Sequence, residues 1–173
     1  NELIAETAKN LKLTNYHELA SRAAALSAEL KEKEREISSL EAEIAASKTA
    51  DLMKDAKQIG GVRLVTADIG EAGADALRSL CDKALESGDD IIAVFAGKNA
   101  EKGTASFACR VGKKAIECGA HAGNIVREVA RVAGGAGGGK PDSAMAGAKD
   151  VSKIPEALKK ASEIVGAMLL GKR

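Results

Sequence analysis

The first third of the chain carries a heptad pattern of apolar residues, which predicts a coiled coil. The spacings alternate between four and three, and Lys33 is the only charged position of the seam, which consists of Leu19, Ala23, Leu26, Leu30, Lys33, Ile37, Leu40 and Ile44. A seam this narrow needs a second helix, either from another copy of the chain or from outside this sequence. The alternative is a helix packed on its own globular domain. Asn15 should cap this helix, and the first dozen residues should form a shorter helix before it.

The pattern changes after Gly60-Gly61, where we place the boundary to a globular domain. Apolar runs predict strands over residues 62–67 and 91–96, and alternation predicts another over residues 104–111. Helical stripes begin near residues 74, 122 and 155, and the first two helices should cover the sheet. The predicted fold class is α/β (α+β), with a helical coiled-coil dimerisation segment over residues 1–60 and a small mixed-sheet domain over residues 61–173.

The glycine-rich segment, residues 134–140, is the most unusual stretch of the chain. Five of its first six residues are glycine, and Lys140 closes it. Glycine permits positive φ angles and close approach of bare N–H groups to a ligand, so we predict an anion-binding loop. The nucleotide-binding P-loop pattern fails at its eighth position, where Pro141 replaces the hydroxyl residue, and the preceding residues are helical. A flexible linker is the other interpretation.

The charge distribution favours a phosphate-rich partner for the same region. Residues 97–173 carry fourteen Lys and Arg against seven Asp and Glu, a balance of +7 in a chain of net charge +1. Arg127 and Arg131 repeat at i,i+4 on the polar face of the helix that leads into the glycine-rich segment, together with Asn124. Aromatic residues make up only 2% of the chain, which disfavours binding of single strands by base stacking. The alternative is an ordinary solvated surface.

Other chemistry has weaker support. Cys118 and His121 are two potential metal ligands, and Cys109 is the only other thiol nearby, so we expect no metal site but a buried Cys118 and a helix-start His121. His121 could instead donate to a phosphate at the helix N-terminus. Asp142 and Ser143 have no neighbouring histidine in sequence, so no catalytic set is expected and Asp142 should orient the turn. No apolar run is long enough to span a bilayer, and the lack of an initiator methionine predicts a piece of a longer protein.

The segment over residues 122–130, the glycine-rich segment and the following Pro-Asp, Ala-Gly and Lys-Asp pairs resemble the signature of the DHH-associated domain. With the preceding coil, essentially the whole chain is similar to the C-terminal end of bacterial alanyl-tRNA synthetases. Three positions depart from the family pattern: Ala136 interrupts the glycines, Ser143 replaces a frequent methionine, and Ala148 replaces a second glycine.

The resemblance implies a cytoplasmic region that binds the outer corner of alanine tRNA, links aminoacylation with editing and forms a homodimer through the coil. Its partners would be tRNA, a second copy and the upstream catalytic domains, without a membrane. ATP, magnesium and zinc would belong to those upstream domains, so this segment alone would catalyse nothing. The expected RNA-binding residues are His121, Asn124, Arg127, Arg131, Gly137, Gly138, Gly139 and Lys140. The alternatives are a substrate-clamping domain of a DHH phosphoesterase and a coiled-coil adaptor.

Overall fold

A computed structural model describes residues 16–99 and 102–171 of the chain. The chain divides into two compact units, with the division between Ile44 and Ala45. The short helix predicted over the first dozen residues and the predicted cap Asn15 lie outside the described residues.

One long helix dominates the first unit and continues into the second. Helix α1 spans Leu19–Lys54, 36 residues, after a 3₁₀ turn at Tyr16–Glu18. The predicted helix is therefore confirmed, and it continues beyond the end of the heptad pattern. Leu30, a member of the predicted seam, is 62% exposed. Pairing of this seam with a second helix stays a prediction.

The second unit is built on one six-stranded mixed sheet, which confirms the predicted fold class. Its spatial order is β1-β2-β3-β4-β6-β5, in which β2 and β3 are parallel and the other pairs antiparallel. The strands are β1 Lys57–Ile59, β2 Val62–Glu71, β3 Ile91–Asn99, β4 Thr104–Val111, β5 Ala136–Gly139 and β6 Ser143–Ala148. The helices of this unit are α2 Ala74–Leu85, α3 Lys113–Glu117, α4 Ala122–Val132 and α5 Ile154–Leu170. Because β2 and β3 run parallel, α2 serves as the crossover between them.

Helices cover both faces of this sheet, as predicted. We call these faces the α2 face and the α4 face. In the central strand β3, Ala93 and Phe95 pack with α2, whereas Ile92 and Val94 pack on the opposite face with α4. This burial on both faces explains why β3 has a continuous apolar sequence. Helix α5 also packs on the α4 face, and Pro155 lies in its first turn as expected.

The Gly60-Gly61 pair lies inside the second unit. The two glycines have φ angles of +55° and +87° and connect Ile59 to Val62, its partner in the β1–β2 hairpin. A two-residue turn with two positive φ angles is the type I′ turn, which favours glycine. These glycines therefore mark a hairpin turn, and the compact unit begins earlier, at Ala45.

The glycine-rich segment, predicted as a loop, forms the edge strand β5 over four of its seven residues. Within the segment, only Gly134 has a positive φ angle. The other glycines adopt backbone angles that any residue can adopt, so conformational freedom does not explain them. Glycine is needed at several of these positions for another reason: β5 lies so close to β6 that a side chain would not fit.

A bidentate ion pair fixes the beginning of β2 to the connection before β3. Arg63 Nε lies 2.8 Å from Asp90 Oδ2, and Arg63 Nη2 lies 2.6 Å from Asp90 Oδ1 and donates to the carbonyl oxygen of Ser87 at 3.2 Å. The hydrogen bond from Arg63 holds the pKa of the Asp90 carboxyl below its usual range. A Cβ atom at Gly88, whose φ is +152°, would lie 2.6 Å from Arg63 Nη2. Glycine therefore leaves room for this ion pair.

Replacing Asp90 by asparagine should lower the unfolding free energy at pH 7 by about 1–3 kcal/mol, because the bidentate charge-assisted contact is lost. The folded-state pKa of Asp90 is lowered, so its contribution is fully present above the ordinary aspartate pKa of about 3.9. That contribution disappears as the pH falls through the lowered value. Urea unfolding between pH 7 and pH 2 should show a shallower acid dependence for Asp90→Asn than for the unaltered chain.

The matched control is Glu86→Gln, because Glu86 forms an exposed i,i+3 pair with Lys83 at 3.3 Å. This control should change the unfolding free energy by less than about 1 kcal/mol. Equal effects of the two substitutions would contradict a structural role for the Arg63–Asp90 pair.

Candidate nucleic-acid interface

The start of α4 contacts the β5–β6 turn through backbone groups. The N–H of Ala122 donates to the carbonyl oxygen of Pro141 at 2.8 Å, and that of Gly123 donates to the carbonyl oxygen of Lys140 at 3.2 Å. A Cβ atom at Gly123 would lie only 2.4 Å from the carbonyl oxygen of Gly139. Glycine at position 123 therefore brings the polar end of α4 and the glycine-rich edge into one surface.

His121 is the N-cap of α4, as its predicted place at the helix start implies. Its Nδ1 accepts a hydrogen bond from the N–H of Asn124 at 3.3 Å. Because Pro141 and Lys140 accept from the two preceding N–H groups, the first turn of α4 is satisfied within the chain. An anion would therefore compete with these contacts. A neutral His121 that accepts at Nδ1 carries its proton on Nε2.

The two arginines of α4 have different partners. Arg127 Nη1 lies 3.4 Å from Asn124 Oδ1, and Arg131 Nη1 lies 3.1 Å from the carboxylate of Glu128. The two like charges at i,i+4 therefore have different surroundings, because only Arg131 has a carboxylate beside it. Among the described residues, no carboxylate lies within 4.0 Å of Arg127. This side chain is exposed and keeps its charge available.

The N–H groups of β5 do not all point outward. The N–H of Lys140 donates to the carbonyl oxygen of Ser143 at 2.9 Å, and Gly138 pairs with Met145 two residues further along. Hydrogen-bonded and non-hydrogen-bonded pairs alternate in antiparallel strands. Gly138 therefore directs its N–H towards β6, whereas Gly137 and Gly139 direct theirs towards the outer edge. The N–H of Gly138 is thus used within the sheet, and contact of the three glycines with RNA stays a prediction.

Steric limits also separate these glycines. A Cβ atom at Gly137 would lie 2.2 Å from the Cβ of Ala146, and one at Gly139 would lie 2.6 Å from the Cα of Ala144. At Gly138 the nearest atom to such a Cβ is Arg127 Nη2, at an ordinary contact distance of 3.5 Å. Gly137 and Gly139 are therefore required by close strand packing, whereas Gly138 leaves a gap beside an arginine.

Arg110 of β4, which was not among the predicted site residues, supports the turn from the opposite side. Its Nε lies 2.6 Å from Asp82 Oδ1, and its Nη1 lies 3.6 Å from Asp142 Oδ2. The N–H of Val111 also donates to the carbonyl oxygen of Asp142 at 3.0 Å. Asp142 thus orients the turn, as predicted. The only sequence signal for Arg110 was its place on the polar side of an alternating strand.

The cysteines contribute to the core. Burial raises the pKa of Cys81 to about 12, and it also raises the pKa of the fully buried Cys109. Cys118 is half-buried, not fully buried as predicted, because it follows the short helix α3 at the rim of the core. In the part of the chain that the structure describes, no three His, Cys, Asp or Glu side chains are grouped as metal ligands.

A family model, the DHHA1 domain, matches residues 61–167. The chain belongs to the DHHA1 domain family. This confirms the resemblance to the DHH-associated domain, and the match includes the whole glycine-rich edge and the helices on either side of the sheet.

The DHHA1 chain is also similar to longer proteins. It is 38% identical over 162 residues to alanine–tRNA ligase from Alkaliphilus oremlandii, covering 94% of this chain and 18% of the relative. It is 37% identical over 171 residues to alanine–tRNA ligase from Acetivibrio thermocellus, covering 98% of this chain and 19% of the relative. The chain thus spans less than a fifth of the length of these relatives.

A solved structure agrees with this assignment. The crystal structure of the C-Ala domain from Aquifex aeolicus alanyl-tRNA synthetase matches with a TM-score of 0.58 and 29% identity, over 64% of this chain and 97% of that domain. The similarity to the C-terminal region of the synthetase, noted from the sequence, is therefore confirmed. Among the described helices, none has the length and apolar character needed to cross a membrane.

The two kinds of glycine in β5 should respond differently to alanine. Gly137→Ala should lower the unfolding free energy by about 1–3 kcal/mol, because its methyl group overlaps Ala146. Gly138→Ala should change it by less than about 1 kcal/mol, since its methyl group finds ordinary contact distances. Urea unfolding of the two variants provides the measurement, and each serves as the control for the other. Equal losses would show that the strand does not pack as described.

Proposed function

We propose that this DHHA1 chain is the C-terminal tRNA-binding and dimerisation region of an alanyl-tRNA synthetase. The observation that carries the proposal is the contact between α4 and the β5–β6 turn. It assembles Arg127, Lys140 and the outward N–H groups of Gly137 and Gly139 on one edge, in a domain similar to C-Ala. The partner is alanine tRNA, contacted at its outer corner.

The chemistry of this edge suits a phosphate backbone. Arg127 and Lys140 are exposed cations, and β5 offers N–H donors without side chains in the way. His121 Nε2 and the Asn124 amide add neutral donors near the start of α4. Contacts of these kinds position a nucleic acid without reading its sequence, because they address phosphate and sugar.

Arg131 is the least supported of the predicted RNA-binding residues. Its guanidinium already pairs with Glu128, so binding RNA would have to replace that ion pair. We retain Arg131 at the rim of the surface and assign the central contact to Arg127. Gly138 contributes by the space that it leaves beside Arg127.

The remaining features extend the proposal to the parent protein. The chain would act in the cytoplasm, link aminoacylation with editing, and pair with a second copy through α1. ATP, magnesium and zinc would be bound by other domains of the parent. The segment alone would therefore bind tRNA without attaching alanine to it.

Affinity for an alanine tRNA transcript should fall with salt, because bound phosphates release counterions. Lys140→Ala and Arg127→Ala should each reduce the slope of log affinity against log salt by about one unit. Gly138→Val should weaken binding by displacing Arg127 without changing charge. The measurement is a filter-binding or fluorescence titration over a salt series, with a test of alanine attachment alongside it.

Arg131→Ala is the matched control, since it removes the same charge from the same helix at a neutralised position. It should reduce the slope less than Arg127→Ala does. If the unaltered chain fails to bind the transcript, or if all four variants bind as tightly as the unaltered chain, the proposed RNA surface is wrong. Alanine attachment by the isolated chain would contradict its assignment as a non-catalytic region.

Dimerisation should depend on the apolar seam of α1. Leu26→Glu and Leu30→Glu would bury a charge between the paired helices. Sedimentation equilibrium should therefore show a dimer for the unaltered chain and a monomer for each variant. Ala24→Glu, a change outside the seam, is the control and should leave the mass unchanged. If the unaltered chain is a monomer, or if the variants remain dimeric, this part of the proposal is wrong.

A further inference from the structure

A second arginine, Arg78 of α2, lies at the same edge of the sheet as Arg127. Its Nη2 is 3.4 Å from the sulfur of Met145, and its side chain is exposed. Met145 is the strand partner of Gly138, the residue whose empty side-chain position lies 3.5 Å from Arg127 Nη2. Arg78 therefore contacts one member of a cross-strand pair, and Arg127 lies beside the empty side-chain position of the other.

The two arginines reach this pair from opposite faces of the sheet. Met145 packs with the α2-face core, and directly paired residues of antiparallel strands have their side-chain positions on the same face. The empty position of Gly138 thus belongs to the α2 face, although Arg127 comes from α4 on the other face. Arg127 extends round the edge because β5 carries no side chain there. The Cβ positions of such a pair are about 4.5–5.5 Å apart, so the gap at Gly138 lies next to the Met145 side chain that Arg78 contacts.

Charge pairing sets these two arginines apart from the other arginines described in the second unit. Arg63, Arg110 and Arg131 each have a carboxylate within 4.0 Å. Among the described residues, no carboxylate lies that close to Arg78 or Arg127. Asp82 follows Arg78 by four residues and would be its natural helical partner, but it lies 2.6 Å from Arg110.

We propose that Arg78 is a further RNA-binding residue, which together with Arg127 binds one backbone phosphate at the gap beside Gly138. Guanidinium groups bind phosphate oxygens through planar pairs of N–H donors, so two of them can hold a single phosphate from two sides. Alternation along β5 also places Lys140 on the same face as Gly138, where it can contact the next phosphate. This inference rests on the proposed function and adds a residue from a different helix to its surface.

The experiment compares Arg78→Gln, Arg127→Gln and the double variant in binding an alanine tRNA transcript over a salt series. Lys83→Gln is the matched control, because it removes one positive charge from the same helix at a residue paired with Glu86. Each arginine variant should weaken binding about tenfold and reduce the salt slope by about one unit. Because the phosphate is held from two sides, loss of either guanidinium should release it, so the slope of the double variant should fall no further than that of a single variant. Arg78→Lys keeps the charge but loses the planar donor pair, so it should fall between the parent and Arg78→Gln.

The outcomes separate the two proposals. If the parent and Arg127→Gln behave as expected but Arg78→Gln binds like Lys83→Gln, the inference about Arg78 is wrong and the proposed function stands. A slope that falls by about two units in the double variant would overturn the shared phosphate. If the parent does not bind the transcript, the proposed function fails and the inference fails with it.

Discussion

The close backbone contact between α4 and the β5–β6 turn is the constraint on which the candidate surface depends. The first N–H groups of a helix need acceptors, and here the carbonyl oxygens of Lys140 and Pro141 provide them. This arrangement is possible because no Cβ atom separates Gly123 from the carbonyl oxygen of Gly139. The helix end and the sheet edge therefore fix each other's position, and the side chains of α4 acquire a defined place beside β5.

The glycine-rich edge serves two physical purposes on its two faces. On the α4 face, Gly137 and Gly139 allow β5 to lie against Ala146 and Ala144 at distances that no side chain would tolerate. On the α2 face, Gly138 leaves a gap that Arg127 enters. Close packing thus brings the backbone into place, and the missing side chain gives a cation from the far helix access to the second face.

The cations in the last part of the chain are of two kinds, paired and unpaired, which the net charge does not distinguish. Arg110 pairs with Asp82 and supports the turn, and Arg131 is neutralised by Glu128. Such paired cations attract a polyanion less than unpaired ones, because the neighbouring carboxylate opposes their charge. Among the described residues, Arg127, Arg78 and Lys140 have no carboxylate within 4.0 Å; Arg127 lies beside β5, Lys140 follows it directly, and Arg78 contacts Met145 of the neighbouring strand β6. Pairing therefore separates the arginines that could contact a phosphate backbone at the candidate surface from those with a structural partner.

The local sequence was sufficient to predict the elements whose burial follows a regular period. Strand β3, the alternating β4, the long helix and the apolar stripes of α2, α4 and α5 were all predicted, since burial on one or both faces leaves its period in the sequence. Strands β1, β5 and β6 were missed. β1 has three residues, and β5 and β6 consist mostly of glycine and alanine, which carry no such signal.

The sequence alone also identified the residue types of the candidate site, including His121, Arg127 and Lys140, and it supported the family assignment. Only the tertiary structure decided which of the arginines have a carboxylate beside them, which N–H groups of β5 point outward, and that Arg78 lies beside Met145, the strand partner of Gly138. The physical reason is that ion pairing and strand register join residues far apart in the chain. Arg78 and Met145 are such a pair, and no local periodicity specifies their contact.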